Sequence, residues 1–277
     1  MTAIVADVNA FLQDLCGRRG EPAGLYRMMG YHLGWLDADG FALADPWPAR
    51  YGGKKLRAAL CIHSCAAAGG SREAAIPAAA AIELIQNFSL VHDDIEDHDR
   101  ERRHRPTVWV LWGVPQAINT GSSMQALVNA AVLETRAPAE TVLDLARALT
   151  EAMRQMTEGQ HLDILFEDRD DVTPEEYRAM ASLKTGALME AAAYAGARLA
   201  INDETSLACW KRFGRCFGEA FQARDDLLGV IVARCLVEFP YVNVQLTPEG
   251  IRQMPAVNIG LAVDSERGLL VPVVRNA

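Results

Sequence analysis

The segment HDDIEDHDRERRHRP, residues 92–106, follows an apolar helical stretch and places four carboxylates in five consecutive positions, ahead of a run of arginines. Asp93 and Asp97 are four residues apart, so on a helix they lie one turn apart on the same face. Two carboxylates held close together in an apolar groove need a cation to offset their repulsion. Oxygen ligands without cysteine favour Mg²⁺, and arginines suit phosphate oxygens. The alternative is a solvated, charged helix end without a ligand.

A second acidic pair favours the metal site over that alternative. It lies in FQARDDLLG, residues 221–229, where Asp225 and Asp226 again follow apolar helical positions. The two acidic clusters are more than 120 residues apart in the chain. A metal site held between two facing helices requires an acidic cluster on each of them. The pattern therefore predicts Mg²⁺ ions shared between the clusters and completed by substrate phosphates.

A basic segment, YGGKKLRAAL at residues 51–60, supplies positive charge at a third place. Lys54 and Arg57 are three residues apart and would share a helical face. Gly52 and Gly53 precede them, where the N–H groups of a helix N-terminus would face an anion. A glycine pair before a helix is also ordinary turn sequence, so this segment alone does not indicate a phosphate site.

Six segments together resemble, in order and spacing, the trans-prenyltransferases, the isoprenyl diphosphate synthase family. They are GGKKLR (52–57), IELIQNFSLVHDDIEDHDRERRHRPTVW (82–109), GVPQAINTG (113–121), EGQHLDI (158–164), LKTGAL (183–188) and FQARDDLLG (221–229). The resemblance implies an all-α fold, an isoprenoid synthase-type helical bundle around a central apolar cleft. It also implies head-to-tail condensation of isopentenyl diphosphate with an allylic diphosphate, dependent on two or three Mg²⁺ ions. Geranylgeranyl diphosphate is the expected product.

The resemblance also assigns roles to residues at matching positions. The expected metal ligands are the aspartates of both clusters: Asp93, Asp94, Asp97, Asp225 and Asp226. The expected diphosphate-binding residues are mostly cations: Lys54, Arg57 and Arg103 for isopentenyl diphosphate, and Arg102 and Lys184 for the allylic diphosphate, with Gln86, Thr185 and Gln222 beside them. The residues expected to act in catalysis are Asp93, Asp97, Arg102, Lys184 and Asp225, with Gln160 and Asp163 in support. Phe88 and Ser89 are expected to limit product length.

The end of the chain departs from this family. Residues 231–277 resemble a fragment of a dihydrolipoamide acyltransferase catalytic domain, and AVNIGLAVD and GLLVPVV, joined by SERG, predict paired strands. The sequence has no HxxxDG motif, which carries that family's catalytic histidine, so this part is expected to be non-catalytic. The expected domains are therefore an incomplete synthase domain, 1–230, and an acyltransferase-like fragment, 231–277. Replacement of the synthase's own ending is expected to weaken catalysis.

Two other hypotheses stay open. The chain could be an inactive diphosphate-binding subunit that partners a full-length synthase, or an interaction module that contacts an acyltransferase core through its tail. A terpene cyclase on the same scaffold is less favoured, because Lys54, Arg57 and Arg103 would then have no isopentenyl diphosphate to bind.

Composition limits the classes of binding partner and the cellular compartment that are expected. A net charge of −9 and a pI of about 5.2 argue against non-specific nucleic-acid binding. The six cysteines form no CxxC and are predicted to be reduced, buried thiols of a cytoplasmic protein. No signal peptide or membrane-spanning apolar run is recognised, and the resemblance implies a homodimer.

Helical periodicity predicts helices at 79–93, 142–166 and 177–199, with breaks at 113–115, 136–138 and 171–176.

Overall fold

The fold is described by a computed structural model of the chain. It describes residues 2–17, 24–44, 53–167, 169, 171–238 and, beyond these, short strand segments between 244 and 274. Side chains are described no further than residue 224. Within this part of the chain helices dominate and strands are short, so the expected all-α fold is confirmed.

The described helices occur in the following order along the chain. They are α1 (Thr2–Gly17), α2 (Leu25–His32), α3 (Leu56–Ala67), α4 (Ile76–Glu96), α5 (Val108–Trp112), α6 (Val114–Leu133), α7 (Ala139–Phe166), α8 (Pro174–Ala181), α9 (Ala187–Arg198) and α10 (Glu204–Glu238). A 3₁₀ turn (Glu73–Ala75) precedes α4, and a π-helix (Ser182–Gly186) joins α8 to α9. Two short strands, β1 (Glu101–Arg102) and β2 (Arg105–Pro106), form a hairpin after α4.

Helix α4 is central to the bundle and contacts α1, α3, α6, α7 and α9. Pro77 stands in its first turn, where the missing N–H costs no hydrogen bond. The four residues Ala78–Ala81 are completely buried. Alanine is the strongest helix former, and its small side chain lets neighbouring helices approach closely. This packing fixes α4 in the core, so the acidic segment at its C-terminal end has a defined position.

The predicted helix breaks at 113–115, 136–138 and 171–176 are confirmed. Gly113 adopts φ 82° between α5 and α6, a conformation that glycine reaches without strain. The Thr173 hydroxyl accepts a hydrogen bond from the Glu176 N–H, and the Glu176 carboxylate accepts one from the Thr173 N–H. This capping box starts α8. The helix predicted at 177–199 is present as far as Arg198, and it contains a π-helical turn at 182–186 that the sequence did not predict.

The chain divides into two compact units, residues 1–219 and 220–277. In the second unit, β3 (Val244–Thr247) pairs with β4 (Gly250–Gln253), β5 (Ile259–Gly260) with β8 (Val273–Val274), and β6 (Val263–Ser265) with β7 (Gly268–Leu270), all antiparallel. Ser265 lies opposite Gly268, so the predicted strand pair around SERG is confirmed. The predicted domain boundary at 230/231 stays a prediction.

The prediction that the cysteines are buried is confirmed only in part. Cys16, Cys61 and Cys65 are buried as predicted, but Cys209 and Cys216 are exposed on α10, because an apolar sequence context does not by itself bury a helix face. Cys235 lies outside the described side chains.

The segment Glu73–Glu96 is long and apolar enough to cross a membrane, yet 67% of its most apolar window is buried in the fold, as for a core helix. The cytoplasmic location stays a prediction.

Candidate active site

The last turn of α4 carries the first acidic cluster. The Asp97 N–H donates to the Asp93 carbonyl at 2.8 Å, so the helical turn that places the two residues on one face is present. Asp93 is half-buried, Asp94 is 1% exposed, and Asp97 is exposed. Burial raises the pKa of Asp93 to about 7 and that of Asp94 to about 6. Burial also raises the pKa of Asp97, and the Asp97 charge adds to the rise at Asp93.

A nearby lysine partly offsets the rise in the pKa of these aspartates. The charge of Lys184 lowers the pKa of both Asp93 and Asp97, which places this lysine across from the α4 aspartates. Burial alone would lower the pKa of Lys184, but a hydrogen bond to Asp163 and the charges of Asp93 and Asp97 raise it above its ordinary value. The lysine charge thus favours the ionised form of these carboxylates, against the effect of burial.

Lys184 owes its position to the π-helix and to α7. Its ammonium group forms an ion pair with Asp163 on α7. One turn earlier on α7, Gly159 allows a very close approach, since a Cβ there would lie 2.3 Å from the Lys184 backbone nitrogen. Both polar side-chain atoms of Gln160 are buried without a hydrogen-bond partner, and Thr185 is 5% exposed. π-Helical turns frequently occur at functional sites, and this one directs a lysine toward the aspartates.

The arginines after α4 lie on the β1–β2 hairpin. The Arg102 Nε donates to Asp94 Oδ1 at 2.6 Å. Asp94 was expected among the metal ligands, but this bond leaves only its buried Oδ2 without a partner. Arg103 follows at the turn, with φ 53°, and burial lowers its pKa to about 10. A Cβ on Gly53 would lie 2.9 Å from the Arg103 guanidinium, so the hairpin meets the basic segment here.

The basic segment differs from expectation. Helix α3 begins at Leu56, so Lys54 precedes it and is exposed, and the prediction that Lys54 and Arg57 share a helical face is wrong. The buried lysine is Lys55, which takes the left-handed N-cap conformation at φ 49°. Its ammonium group is 3.5 Å from the Glu83 carboxylate, and both side chains are almost completely buried. The buried Arg57 Nε has no hydrogen-bond partner in the part of the chain that the structure describes.

Sequence analysis missed Lys55 and Glu83. The available signal was Glu83 itself, the only charged residue in the apolar stretch Ile76–Val91, because such a carboxylate needs a buried counter-charge. Glu83 also contributes to the electrostatics of Arg57 and Arg103. Asp94 is the other carboxylate that acts on Arg103. The buried cations Lys55, Arg57 and Arg103 thus outnumber the two carboxylates Glu83 and Asp94 that act on them, which favours an anion nearby.

The residues expected to limit product length lie on α4, upstream of the aspartates. Phe88 is buried and meets the His92 ring edge-on, with centroids 5.9 Å apart. The Ser89 hydroxyl donates to the Gln86 carbonyl at 3.0 Å. The Gln86 Oε1 is buried without a partner, so this glutamine is not the surface residue that its polarity alone would suggest.

The second acidic cluster is only partly described. Asp225 and Asp226 lie within α10, but their side chains are outside the described residues. Gln222 is half-buried in the second unit. Among the side chains that are described, no group of three or more His, Cys, Asp or Glu residues is placed to hold a metal ion. The expected convergence of Asp93 and Asp225 therefore stays a prediction.

Comparison with known proteins identifies the family. The family model for polyprenyl synthetase matches residues 48–234. The chain belongs to the polyprenyl synthetase family. It is 43% identical over 203 residues to a (2E,6E)-farnesyl diphosphate synthase of Mycobacterium tuberculosis, covering 73% of this chain and 55% of that protein. It is 42% identical over 226 residues to a geranylgeranyl diphosphate synthase of the same organism, covering 81% and 62%.

A solved structure agrees with this membership. The crystal structure of a polyprenyl synthetase from Streptomyces coelicolor A3(2) is 38% identical, with a TM-score of 0.74, and the match covers 83% of this chain and 65% of that one. The chain thus spans less than two thirds of these polyprenyl synthetase relatives. A second family model, the catalytic domain of 2-oxoacid dehydrogenase acyltransferases, matches residues 224–277. The resemblance of the tail to an acyltransferase is therefore confirmed.

Proposed function

We propose that this polyprenyl synthetase is a Mg²⁺-dependent prenyltransferase that condenses isopentenyl diphosphate with an allylic diphosphate, head to tail. The observation that carries the proposal is the set of desolvated carboxylates on α4, opposite Lys184 and beside Arg102. Ionising an allylic diphosphate leaves a carbocation and a highly charged leaving group. A site that combines divalent metal with lysine and arginine donors stabilises that leaving group.

The proposed metal ligands are Asp93 and Asp97, with Asp225 and Asp226 on α10. With a pKa of about 7, Asp93 is only partly ionised at neutral pH, and a bound cation would favour its charged form. Bound Mg²⁺ supplies Lewis-acid stabilisation of the departing diphosphate. Asp94 fits better as the group that orients Arg102, since it already accepts that arginine's hydrogen bond.

The proposed diphosphate donors form two groups. Lys184, Arg102 and Thr185 hold the allylic diphosphate, with Gln222 assigned beside them. Arg57 and Arg103 hold isopentenyl diphosphate, and Lys54 and Gln86 are the remaining candidates. Among the residues that the structure describes, the buried Arg57 Nε, a donor, has no hydrogen-bond partner, as expected for a group whose partner is a ligand or water. Lys55, which the sequence analysis did not single out, is a further buried cation near these donors.

The proposed product is short, and we favour geranylgeranyl diphosphate. The relatives include one named a farnesyl and one named a geranylgeranyl diphosphate synthase, so similarity alone leaves both products open. Phe88 is buried five residues before Asp93 and is proposed, with Ser89, to form the floor that stops chain growth. Phe88→Ala is expected to lengthen the product, which mass spectrometry of the extracted prenyl alcohols would show.

Activity is tested with labelled isopentenyl diphosphate, an allylic primer and Mg²⁺. The wild-type chain is expected to form an extractable product, and Asp93→Asn is expected to abolish it. Asp7→Asn is the matched control, because Asp7 is an exposed aspartate on α1, away from the aspartate cluster. Product formation by Asp93→Asn at the wild-type rate, or none by the wild-type chain, would contradict the proposal.

A second candidate function follows from the length of the match and from the tail. The chain spans 55% of the farnesyl diphosphate synthase, and residues 224–277 match an acyltransferase domain. An inactive diphosphate-binding subunit would bind labelled substrate but turn it over only after a full-length synthase is added. An interaction module would instead co-elute with an acyltransferase core. Binding and co-elution measured alongside turnover distinguish these hypotheses.

We also propose a homodimer that forms through α6. This 20-residue helix contains no charged residue, and it exposes Val114, Ile118 and Leu133, the last at 75%. A second copy presents the same uncharged face, so self-association brings no like charges together. Ile118→Lys is expected to shift the mass measured by light scattering from dimer to monomer, and an unchanged mass would exclude this face.

A further inference from the structure

The turn that presents Arg103 is unfavourable for the residues that occupy it. Arg102 pairs with Arg105 across the hairpin, so only Arg103 and His104 form the loop. Their φ angles are 53° and 61°. A two-residue hairpin loop with positive φ at both positions ordinarily takes Asn-Gly or Gly-Gly, because residues with larger side chains are strained there. The local sequence therefore does not explain the turn, and contacts outside it must hold it.

Those contacts come from the end of α2. The Arg105 guanidinium donates to the carbonyls of Tyr31 at 3.2 Å and of Leu36 at 2.7 Å. Its central carbon lies 3.8 Å from the centre of the Tyr31 ring. In return, the Tyr31 hydroxyl donates to the Pro106 carbonyl at 2.8 Å. The Tyr31 carbonyl also accepts from the Gly34 N–H at 3.0 Å, so the guanidinium adds a second bond there. A planar guanidinium can reach two carbonyls at and beyond a helix C-terminus while it stacks on an aromatic ring.

We propose that Arg105 and Tyr31 are positioning residues for Arg102 and Arg103. They clamp strand β2 to α2 and so hold the strained turn in the conformation that directs Arg102 to Asp94 and Arg103 toward Gly53. Tyr31 is 5% exposed, so the clamp is shielded from water. Neither Arg105 nor Tyr31 is proposed to contact the reacting atoms. This inference rests on the proposed function, because it is the diphosphate contacts of Arg102 and Arg103 that the clamp would serve.

The test measures binding of inorganic pyrophosphate, in excess Mg²⁺, by calorimetry, and KM and kcat for isopentenyl diphosphate. Arg105→Met keeps an apolar stem over Tyr31 but removes the guanidinium. It is expected to weaken pyrophosphate binding about tenfold and to raise KM more than it lowers kcat, because the arginines are misplaced rather than lost. Arg105→Lys, which keeps the charge but cannot span both carbonyls, should recover only part of the loss. Arg100→Met is the matched control, because Arg100 is an exposed arginine just before β1 that lies over the Trp109 ring.

A double-mutant comparison separates positioning from a general effect on folding. In an Arg103→Met background, Arg105→Met should cost clearly less affinity than it does in the wild type, since part of what it positions is already absent. Equal costs in the two backgrounds would overturn the proposal. If Arg105→Met does not fold by circular dichroism, Tyr31→Phe serves instead. It removes only the hydroxyl and should weaken binding by about two- to threefold, and binding equal to wild type would overturn the proposal.

Failure of this inference is distinguishable from failure of the proposed function. A wild-type chain that neither binds pyrophosphate nor forms product contradicts the proposed function. A wild-type chain that binds and turns over, with Arg105→Met and Tyr31→Phe unchanged, contradicts only the positioning role.

Discussion

Gly159 is the point at which α7 meets the π-helix, and a single methyl group there tests the geometry of the site. A Cβ on Gly159 would lie 2.3 Å from the Lys184 nitrogen and 2.6 Å from its Cα. Ordinary van der Waals contact begins at 3.4 Å, so Gly159→Ala requires the two segments to separate by about 1 Å. The nearest atoms belong to the backbone, so no change of rotamer can relieve the clash.

Two effects are expected from this displacement. The free energy of unfolding should fall by about 1–3 kcal/mol, the usual cost of overpacking. Lys184 should also move away from Asp163 and the α4 aspartates, and a misplacement of about 1 Å can lower kcat by about 100-fold. Urea unfolding followed by circular dichroism measures the first effect, and extraction of labelled prenyl product measures the second.

Gly17→Ala provides the control. Gly17 is the last residue of α1, and a Cβ there would have no atom of the described residues within 4 Å. This variant should unfold and turn over like the wild type. A Gly159→Ala variant that also matched the wild type in urea midpoint and in turnover would show that α7 and the π-helix do not approach as closely as described.

Four further outcomes are expected. The pKa of about 7 at Asp93 predicts that Mg²⁺ stabilises the protein against heat more at pH 8 than at pH 6, where about a tenth of this group is ionised and apparent affinity is about tenfold weaker. Without Mg²⁺, the same group makes stability fall as pH rises from about 4 to 7, because the folded chain holds its proton more tightly than the unfolded chain. His104→Gly should raise the free energy of unfolding by about 0.5–1 kcal/mol by relieving a left-handed residue, and a lower urea midpoint would contradict this. Glu83→Gln should lower it by about 3 kcal/mol, because Lys55 is left buried without its counter-charge, while a joint change of both residues to Met should recover most of the loss in the same urea assay.

Much of the fold could be predicted because its signals are local. Apolar periodicity and alanine-rich stretches define the long helices, and the Thr173 capping box is visible as a Thr-Pro-Glu-Glu sequence. The spacing of Asp93 and Asp97 likewise needs only helical geometry. These features depend on neighbours within one or two turns, so a single sequence contains the information.

The features that sequence reasoning missed depend on tertiary contacts. The π-helix adds one residue to a turn, but the alanine-rich sequence at 177–199 contains no proline that marks the change. The burial of Lys55 in place of Lys54 follows from a left-handed N-cap and from Glu83, a partner 28 residues away. The exposure of Cys209 depends on which face of α10 is covered. None of these has a signature within its own segment.

The location of the aspartates at the end of α4 has an electrostatic consequence. Backbone carbonyls at a helix C-terminus carry partial negative charge, and acidic side chains are unfavourable there. In α4, Asp93, Asp94 and the C-cap residue Asp97 occupy that last turn of a 21-residue helix. The backbone dipole and these side chains therefore both repel anions at the position where the proposed function places a pyrophosphate group. Free pyrophosphate is expected to bind weakly there, whereas pyrophosphate already bound to a divalent metal is expected to be attracted.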